Sequence, residues 1–542
     1  MIRVFRRFAL NPVWLGAAVL FALTLVRLTC LGIPDLIDST EGRYAAAALH
    51  MVELGDILVP WIRIEGQFEP YLGKPPLHFW LIAASFEVFG LSTAAARFPS
   101  FLTSCFTAGL VFWFLKPLKG APTAMTATVI LVSIPLFFFL GGACVLDTTL
   151  MLCVSAAFIA LYHVVALGRQ DWLPWTLLGA AIGLGVLTKG PVAIVFVAIP
   201  GLIWWWLYWR VLPKVGGAWR FSAYAIVVTA APWYLAVEWM YPGFLWYFMV
   251  KENLLRFVAD SYGDRYGTGH PQPLGTVWLH ALIACFPWSL VAVWLTATRW
   301  SSFRIPKDPL AGLALCWFFV NMLFLTVTSQ YTATYLSPLL PGAAIFLGLV
   351  LQQLSLAPRW SARYAWTAPV TAAVALIVAI VGVFLGAPLF VPILLVLGLV
   401  AAWRLRQLGG PRTTAAATIL TGGGLAYLFL AVLLSMSPHV SMNRSSNQTL
   451  ALLAAHAHQS GDTDVRIGYV GRVPFSVDVY RHRSGLEMTV VPLGDFPAPP
   501  QSDTLDYLVT APDSLSDADA AKAGWTEIFQ GEKLRMLART RN

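Results

Sequence analysis

Charge is the first thing this chain lacks. Only 12% of its 542 residues are Asp, Glu, Lys or Arg, while 58% are hydrophobic. Mean hydropathy is +0.70, and a soluble domain would carry about 25% charged residues. An ordinary cytosolic enzyme is excluded, as is a disordered or fibrous chain. Dense runs of lysine and arginine are also missing. The net charge of +9 is scattered between apolar stretches, so it reads as membrane-orienting charge and not as a nucleic-acid footprint. Cysteine is sparse. Cys30, Cys105, Cys144, Cys153, Cys285 and Cys316 lie in or beside apolar segments, without metal-ligand spacing, and the polar C-terminal part has none. No disulfide framework follows from that pattern, and buried free thiols are expected. Phosphate loops, Walker motifs and dinucleotide fingerprints are absent, and so is any internal repeat that would support a two-fold transporter.

Aromatic residues and long apolar runs are abundant. The 23 Trp and 33 Phe suit a protein with rings at the water–lipid boundary. Stretches such as 130–142 and 194–208 favour helical spans over barrel strands, which would be about 10 residues long and alternating. Spans are expected at 12–32, 94–115, 122–141, 147–167, 172–188, 190–208, 219–239, 275–297, 309–328, 335–355, 364–386, 388–403 and 415–436. The stretch 77–90, about 14 residues, is too short and reads as interfacial or re-entrant. The segment 10–31 follows Arg3, Arg6 and Arg7 without a small-residue cleavage site, so it is expected to remain as an anchor.

With a cytoplasmic N-terminus and no crossing at 77–90, Lys116, Lys119, Arg169, Arg210, Lys214, Arg220, Arg299, Arg304, Lys307, Arg359, Arg363, Arg404, Arg406 and Arg412 all face the cytoplasm. The only acids in those loops are Asp171 and Asp308. This is a positive-inside pattern, and it gives about 13 spans. The expected division is a membrane domain over 1–436, with outer loops 33–93 and 240–274, and a soluble periplasmic α/β domain over 437–542. That last part has strand-like runs at 465–470, 505–509 and 534–537, a helical run at 448–458, and a linker or edge around Pro497 and Pro500.

The polar residues that resist a packing explanation gather at outer span ends. Asp38, Glu41, Arg43 and Tyr44 begin the first loop, and Tyr71 and Lys74 follow. A carboxylate beside cations can hold a sugar phosphate or deprotonate a nucleophile; the alternative is an amphipathic surface helix over 41–54 with solvated charges. Asp147 opens a span, where an N-cap is the plain reading. Lys189 splits two apolar helices and is either functional or snorkelling. Tyr335 sits at another helix mouth, where an aromatic belt would also place it. Glu252 and His270 share the second loop and are the residues to consider for a divalent metal ion, although zinc-ligand spacing is absent.

Taken together, these motifs resemble the polyprenyl-phosphate-dependent membrane glycosyltransferases of the protein O-mannosyltransferase clan, on the branch of the bacterial lipid A aminoarabinose transferases. The likeness covers most of 1–345 and, more loosely, the C-terminal part. It is carried in order by Thr40-Glu41-Gly42-Arg43-Tyr44-Ala45, Gly55-Asp56 with Pro60, Lys74-Pro75-Pro76, Val145-Leu146-Asp147, Leu187-Thr188-Lys189-Gly190, Glu252 with Arg256 and Phe257, and Tyr335. Thr40, Gly73 and Gln330 stand where the family carries an acid, a glutamate and a lysine.

The resemblance implies a GT-C architecture and inverting transfer of a sugar from polyprenyl phosphate to a glycolipid at the outer face of the bacterial inner membrane. In that scheme Glu41, Asp147 and Asp38 are the catalytic candidates. Lys74, Arg256, Lys189 and Arg43 bind the donor phosphate or hold its loop, and Tyr44, Tyr335 and Tyr71 pack on sugar or lipid. The expected partners are the lipid-linked donor, a lipid A-like acceptor and membrane lipids. No nucleic acid is expected, and the chain is expected to act as a monomer. A protein or polysaccharide acceptor is the alternative within the class; a lipid flippase is the alternative outside it, and would place charges mid-span.

Overall fold

The structure is a computed structural model. It describes residues 11–299 apart from 65 and 256–270, then 306–355 apart from 329, then 373, 377, 380 and 417–424. In the C-terminal part it describes 445–483, 486–493, 504–531 and 534–540. The chain forms two compact units. One comprises Met1–Cys30, Leu72–His78 and Arg97–Ser435; the other comprises Leu31–Tyr71, Phe79–Ala96 and Met436–Asn542.

The first unit is helical and makes the chain a multi-pass membrane protein. Among the described residues, six helices are long and apolar enough to cross a bilayer: Pro12–Thr29, Thr93–Lys119, Asp147–Val165, Trp219–Met240, Pro309–Thr326 and Ala333–Gln353. Trp172–Lys189 and Val192–Tyr208, of 18 and 17 residues, meet almost head to tail around Gly190. Two expected spans are broken. The stretch 122–141 divides into Ala121–Val132 and Pro135–Leu140, with Ile134 extended at φ −70° and ψ 124°. Pro135 is the cause, because its ring disfavours helical backbone in the residue before it. The stretch 275–297 divides into Thr276–Ala284 and Trp288–Thr296, bent by 114°. Pro287 lies at that break, without an N–H to continue the ladder. The expected spans 364–386 and 388–403, and most of 415–436, lie outside the described residues.

Helix contacts in this unit use small residues and hydrogen bonds between helices. Trp172–Lys189 packs along Trp219–Met240 through Gly179 and Gly183, where any side chain would strike Ser222 or Thr229. Phe158 stacks on Trp317 at 4.4 Å, and Trp317 Nε1 donates to the Pro338 carbonyl at 2.8 Å. Asn321, buried at 1% exposure, donates to the carbonyls of Phe196 and Trp317 at 3.0 and 2.9 Å. All six cysteines are free, four of them buried, in accord with the expectation from their apolar settings.

In the second unit, the C-terminal strands are β3 (Asp464–Tyr469), β4 (Glu487–Pro492), β5 (Tyr507–Thr510), β6 (Trp525–Gln530) and β7 (Arg535–Arg539), in the order β4-β3-β5-β7-β6. β3 runs parallel to β4 and β5, and β7 antiparallel to β5 and β6. The runs at 465–470, 505–509 and 534–537 correspond to β3, β5 and β7; β4 and β6 had no clear sequence signal. Asn447–Ser460 buries Leu450, Leu453, Ala454 and Ala457, one helical face.

The first-loop segment contributes a hairpin, β1 (Trp61–Ile64) with β2 (Gln67–Pro70), and the helix Arg43–Leu54. The surface-helix reading of 41–54 is corrected: Tyr44 through Met51 are all buried, and Glu41 is 4% exposed. The Gly55-Asp56 motif has a structural explanation. Gly55 ends the helix in the left-handed region at φ 67°. Asp56 then accepts the Leu58 and Val59 amides at 2.9 and 3.2 Å and the Trp61 indole N–H at 2.8 Å. The short helix Leu77–Phe89 is 13 residues long, and most of it belongs to this second unit.

Candidate active site

The residues singled out in sequence fall into two clusters, one in each unit. In the membrane unit, Lys74, Lys189, Val192, Phe196, Glu252, Asn253 and Tyr335 line one cleft of about 370 Å³, open mouth included. Lys74 precedes Pro75 and Pro76, which favour extended backbone and keep it out of a helix. Its Nζ donates to Glu252 Oε1 at 2.8 Å. Glu252 lies in an unusually wide helical segment, Tyr247–Leu255, whose π-type turns are frequent at functional sites. Lys189 ends its helix and donates to Asp147 Oδ1 at 2.6 Å, while its Nζ stands 3.8 Å from the Tyr335 ring centroid. Gly190 makes this possible: its φ is +88°, and a Cβ there would come within 2.9 Å of the Phe248 ring.

These contacts replace the plain readings. Asp147 does not cap its helix, since the carboxylate is committed to Lys189 and the preceding Leu146 supplies no side-chain cap. Lys189 does not snorkel to water; its side chain is 13% exposed. Tyr335 is a cation–π partner and not merely a belt residue. Side-chain exposure is 3% for Glu252 and 16% for Lys74, so both lysine–carboxylate pairs are largely desolvated at the cleft wall. A phosphate entering between two such lysines meets short, charge-assisted donors, and a sugar beside it meets two carboxylates. Sequence reading treated Glu252 as a metal candidate and missed it as the partner of Lys74. Arg256 and His270 lie outside the described residues. Among the described residues no group of three or more His, Cys, Asp or Glu could hold a metal ion.

The second cluster lies in the other unit. Glu41 Oε2 accepts the Ile37 amide at 3.0 Å. Arg43 stands over the rings of Tyr44 and Tyr71 at 5.6 and 5.7 Å, and both rings meet Phe79 edge-on. Asp38 accepts the Ser476 amide at 3.0 Å and its hydroxyl at 2.9 Å. Burial raises the Asp38 carboxyl above its usual range, against hydrogen bonds from Ser476 and Phe475 and the charge of Arg472. A further polar group, unmarked in sequence, surrounds Asp478. His50, Arg63 and Arg481 approach it at 3.4, 3.5 and 3.8 Å. Burial pushes this carboxyl up, but the His50 hydrogen bond and the charges of His50, Arg63 and Arg481 prevail and hold it low.

The chain is similar to known proteins in sequence and in fold. Residues 15–248 match the family described as dolichyl-phosphate-mannose-protein mannosyltransferase. The undecaprenyl phosphate-alpha-4-amino-4-deoxy-L-arabinose arabinosyl transferase 1 of Sodalis glossinidius is 32% identical over 346 residues, 62% of this chain and 58% of that one. The corresponding transferase of Pseudomonas aeruginosa is 29% identical over 60% of this chain and 56% of its own length. The chain thus spans little more than half the length of these curated relatives. The crystal structure of ArnT from Cupriavidus metallidurans bound to undecaprenyl phosphate shares the fold at a TM-score of 0.75 and 18% identity, covering 96% of this chain and 97% of that one. Its apo form gives 0.73 and 19% identity, covering 97% of each. On these matches the N-terminal part of the chain is similar to the dolichyl-phosphate-mannose-protein mannosyltransferase family, and the chain as a whole shares its fold with the ArnT crystal structures.

Proposed function

We propose that this chain is an inverting glycosyltransferase of the bacterial inner membrane, with about 13 spans, that moves an aminoarabinose-type sugar from undecaprenyl phosphate to a lipid A-like glycolipid at the periplasmic face. The names of the relatives supply the donor class. The observation that carries the reading is the pairing of two buried-edge lysines with two carboxylates around one cleft, Lys74–Glu252 and Lys189–Asp147. The positive-inside count supports the outward placement. In a lipid-linked donor, the isoprenoid chain can lie among helices while its phosphate reaches this interface.

In the proposed reaction the donor phosphate takes hydrogen bonds from Lys74 and Lys189, freeing Asp147 and Glu252 to hold the sugar, including an amino group on it. An acceptor oxygen attacks C1 from the face opposite the phosphate. The new C–O bond forms as the C1–O bond to phosphate breaks, and that electron pair leaves on undecaprenyl phosphate, stabilised by the lysines. An anionic phosphate acceptor has no proton to lose, so the carboxylates then act in binding alone. A hydroxyl acceptor passes its proton to Glu41 or Asp147. Tyr335 packs on sugar or lipid, and Arg43, over the buried rings of Tyr44 and Tyr71, keeps the first loop folded.

The test is mass spectrometry of lipids that co-purify with the full chain, followed by transfer from the lipid-linked aminoarabinose donor to lipid A. Expected results are bound undecaprenyl phosphate and a mass gain on lipid A. A chain that binds no polyprenyl phosphate and modifies neither lipid A nor another acceptor is not this enzyme.

A further inference from the structure

His78 takes no part in the mechanism above, yet it lies in the unit that forms the cleft. It is fully buried, and its Nδ1 shares a hydrogen bond of 2.9 Å with Thr149 Oγ1. Thr149 is also buried, two residues beyond Asp147 in the first turn of the same helix. His78 stands four residues after Lys74, and Pro75 and Pro76 between them restrict the backbone. A shift at His78 therefore passes along a stiff segment to Lys74. The other ring nitrogen, Nε2, has no hydrogen-bond partner among the described residues. Buried polar atoms are rarely left so, and the exception calls for a reason.

We propose that His78 is a positioning residue, which clamps the Lys74 segment to the turn bearing Asp147 and so sets the spacing of the two lysine–carboxylate pairs. The inference rests on the donor-phosphate reading of the cleft. Burial suits the ring to this work: it pushes the imidazole down to about 4, against the pull of the Asp147 charge. A neutral clamp adds no charge beside the phosphate. A lysine or arginine in its place would compete for Asp147.

The experiment uses the full chain in detergent with the variants His78→Ala, His78→Asn, Thr149→Val and the His78→Ala/Thr149→Val double. Two quantities are read: the affinity for undecaprenyl phosphate, and the rate at which Lys74 is acylated by an amine-directed reagent, followed by peptide mass spectrometry. Losing one buried hydrogen bond should weaken phosphate binding about 5–10-fold in either single variant. The double variant should be no worse than the singles. Acylation of Lys74 should quicken in both singles, and His78→Asn, which keeps a polar atom in reach of Thr149, should restore wild-type behaviour. Losses that add in the double variant, or unchanged Lys74 acylation in the singles, overturn the clamp. If His78→Ala does not fold, Thr149→Val and His78→Asn carry the comparison. Wild-type protein that fails to bind undecaprenyl phosphate overturns the donor reading instead, and the acylation rates still decide the role of His78.

Discussion

Lys74 and Glu252 show at the residue scale why the site is demanding to build. Glu252 is nearly sealed from water, and removing one partner of such a pair strands the other charge at a cost of about 3–5 kcal/mol. Lys74→Ala should therefore lower both the melting temperature and the affinity for undecaprenyl phosphate. Lys74→Ala/Glu252→Ala should regain most of the stability but not the affinity, which separates folding from function in one thermal-shift and binding series. The carboxylates are tested by amides of equal shape. Glu41→Gln should keep expression and donor binding and lose roughly 10²–10⁴-fold in turnover. Asp147→Asn should lose turnover to a similar degree and also lower the melting temperature and donor affinity, because it strands Lys189 and removes a sugar contact. Asp38→Asn should act mainly on stability, because its carboxylate is committed to Ser476. Full transfer by Glu41→Gln would remove the first loop from the chemistry. His78 adds a pH dependence. Its folded pKa of about 4 lies below the ordinary 6.5, so its neutral form stabilises the fold fully above pH 6.5. That contribution falls away as pH drops from 6.5 towards 4. The melting temperature of His78→Asn should fall less than that of wild type across this window.

The informative features among the elements are where helices stop and how closely they pack. Lys189 reaches Asp147 because its helix ends on Gly190, in a backbone conformation that other residues rarely adopt. Gly190→Ala should cost about 1–3 kcal/mol in strain alone, with a further penalty from the Phe248 ring, and should reduce phosphate binding without touching a charged residue. Gly183 allows Trp172–Lys189 to lie against Trp219–Met240. Gly183→Leu should push these helices apart and lower expression, as measured by fluorescence-detection chromatography. The prolines at 135 and 287 explain why two apolar stretches of span length became broken helices.

For the whole molecule, the positive-inside pattern predicts one orientation, and the second compact unit supplies an independent check. It contains both the first loop and the C-terminal part, so the two must share one aqueous compartment. A cysteine at Ser460, which is exposed, should react in intact spheroplasts with a membrane-impermeant maleimide, and one at Lys116 should react only after permeabilisation. Labelling of position 460 only after permeabilisation would reverse the topology and the proposed face of reaction.

Composition alone determined the membrane class, because burial in lipid needs an apolar character that no local arrangement can disguise. Local pattern also marked most helices, three of the five C-terminal strands, and Lys74 and Lys189 as charges out of place in an inert bundle; Asp147 and Tyr335 stood out only through the order of motifs along the chain. The partners of those residues were not legible. Lys189 and Asp147 are 42 positions apart, Lys74 and Glu252 are 178 apart, and Asp38 and Ser476 are 438 apart. Such pairings depend on which helices pack together and on where a loop and a distant C-terminal segment join one unit, and no periodicity encodes either. Sequence thus fixed which residues carry charge into an apolar setting. Only the tertiary structure decided which charges neutralise each other, because a buried ion must find its counterion through space.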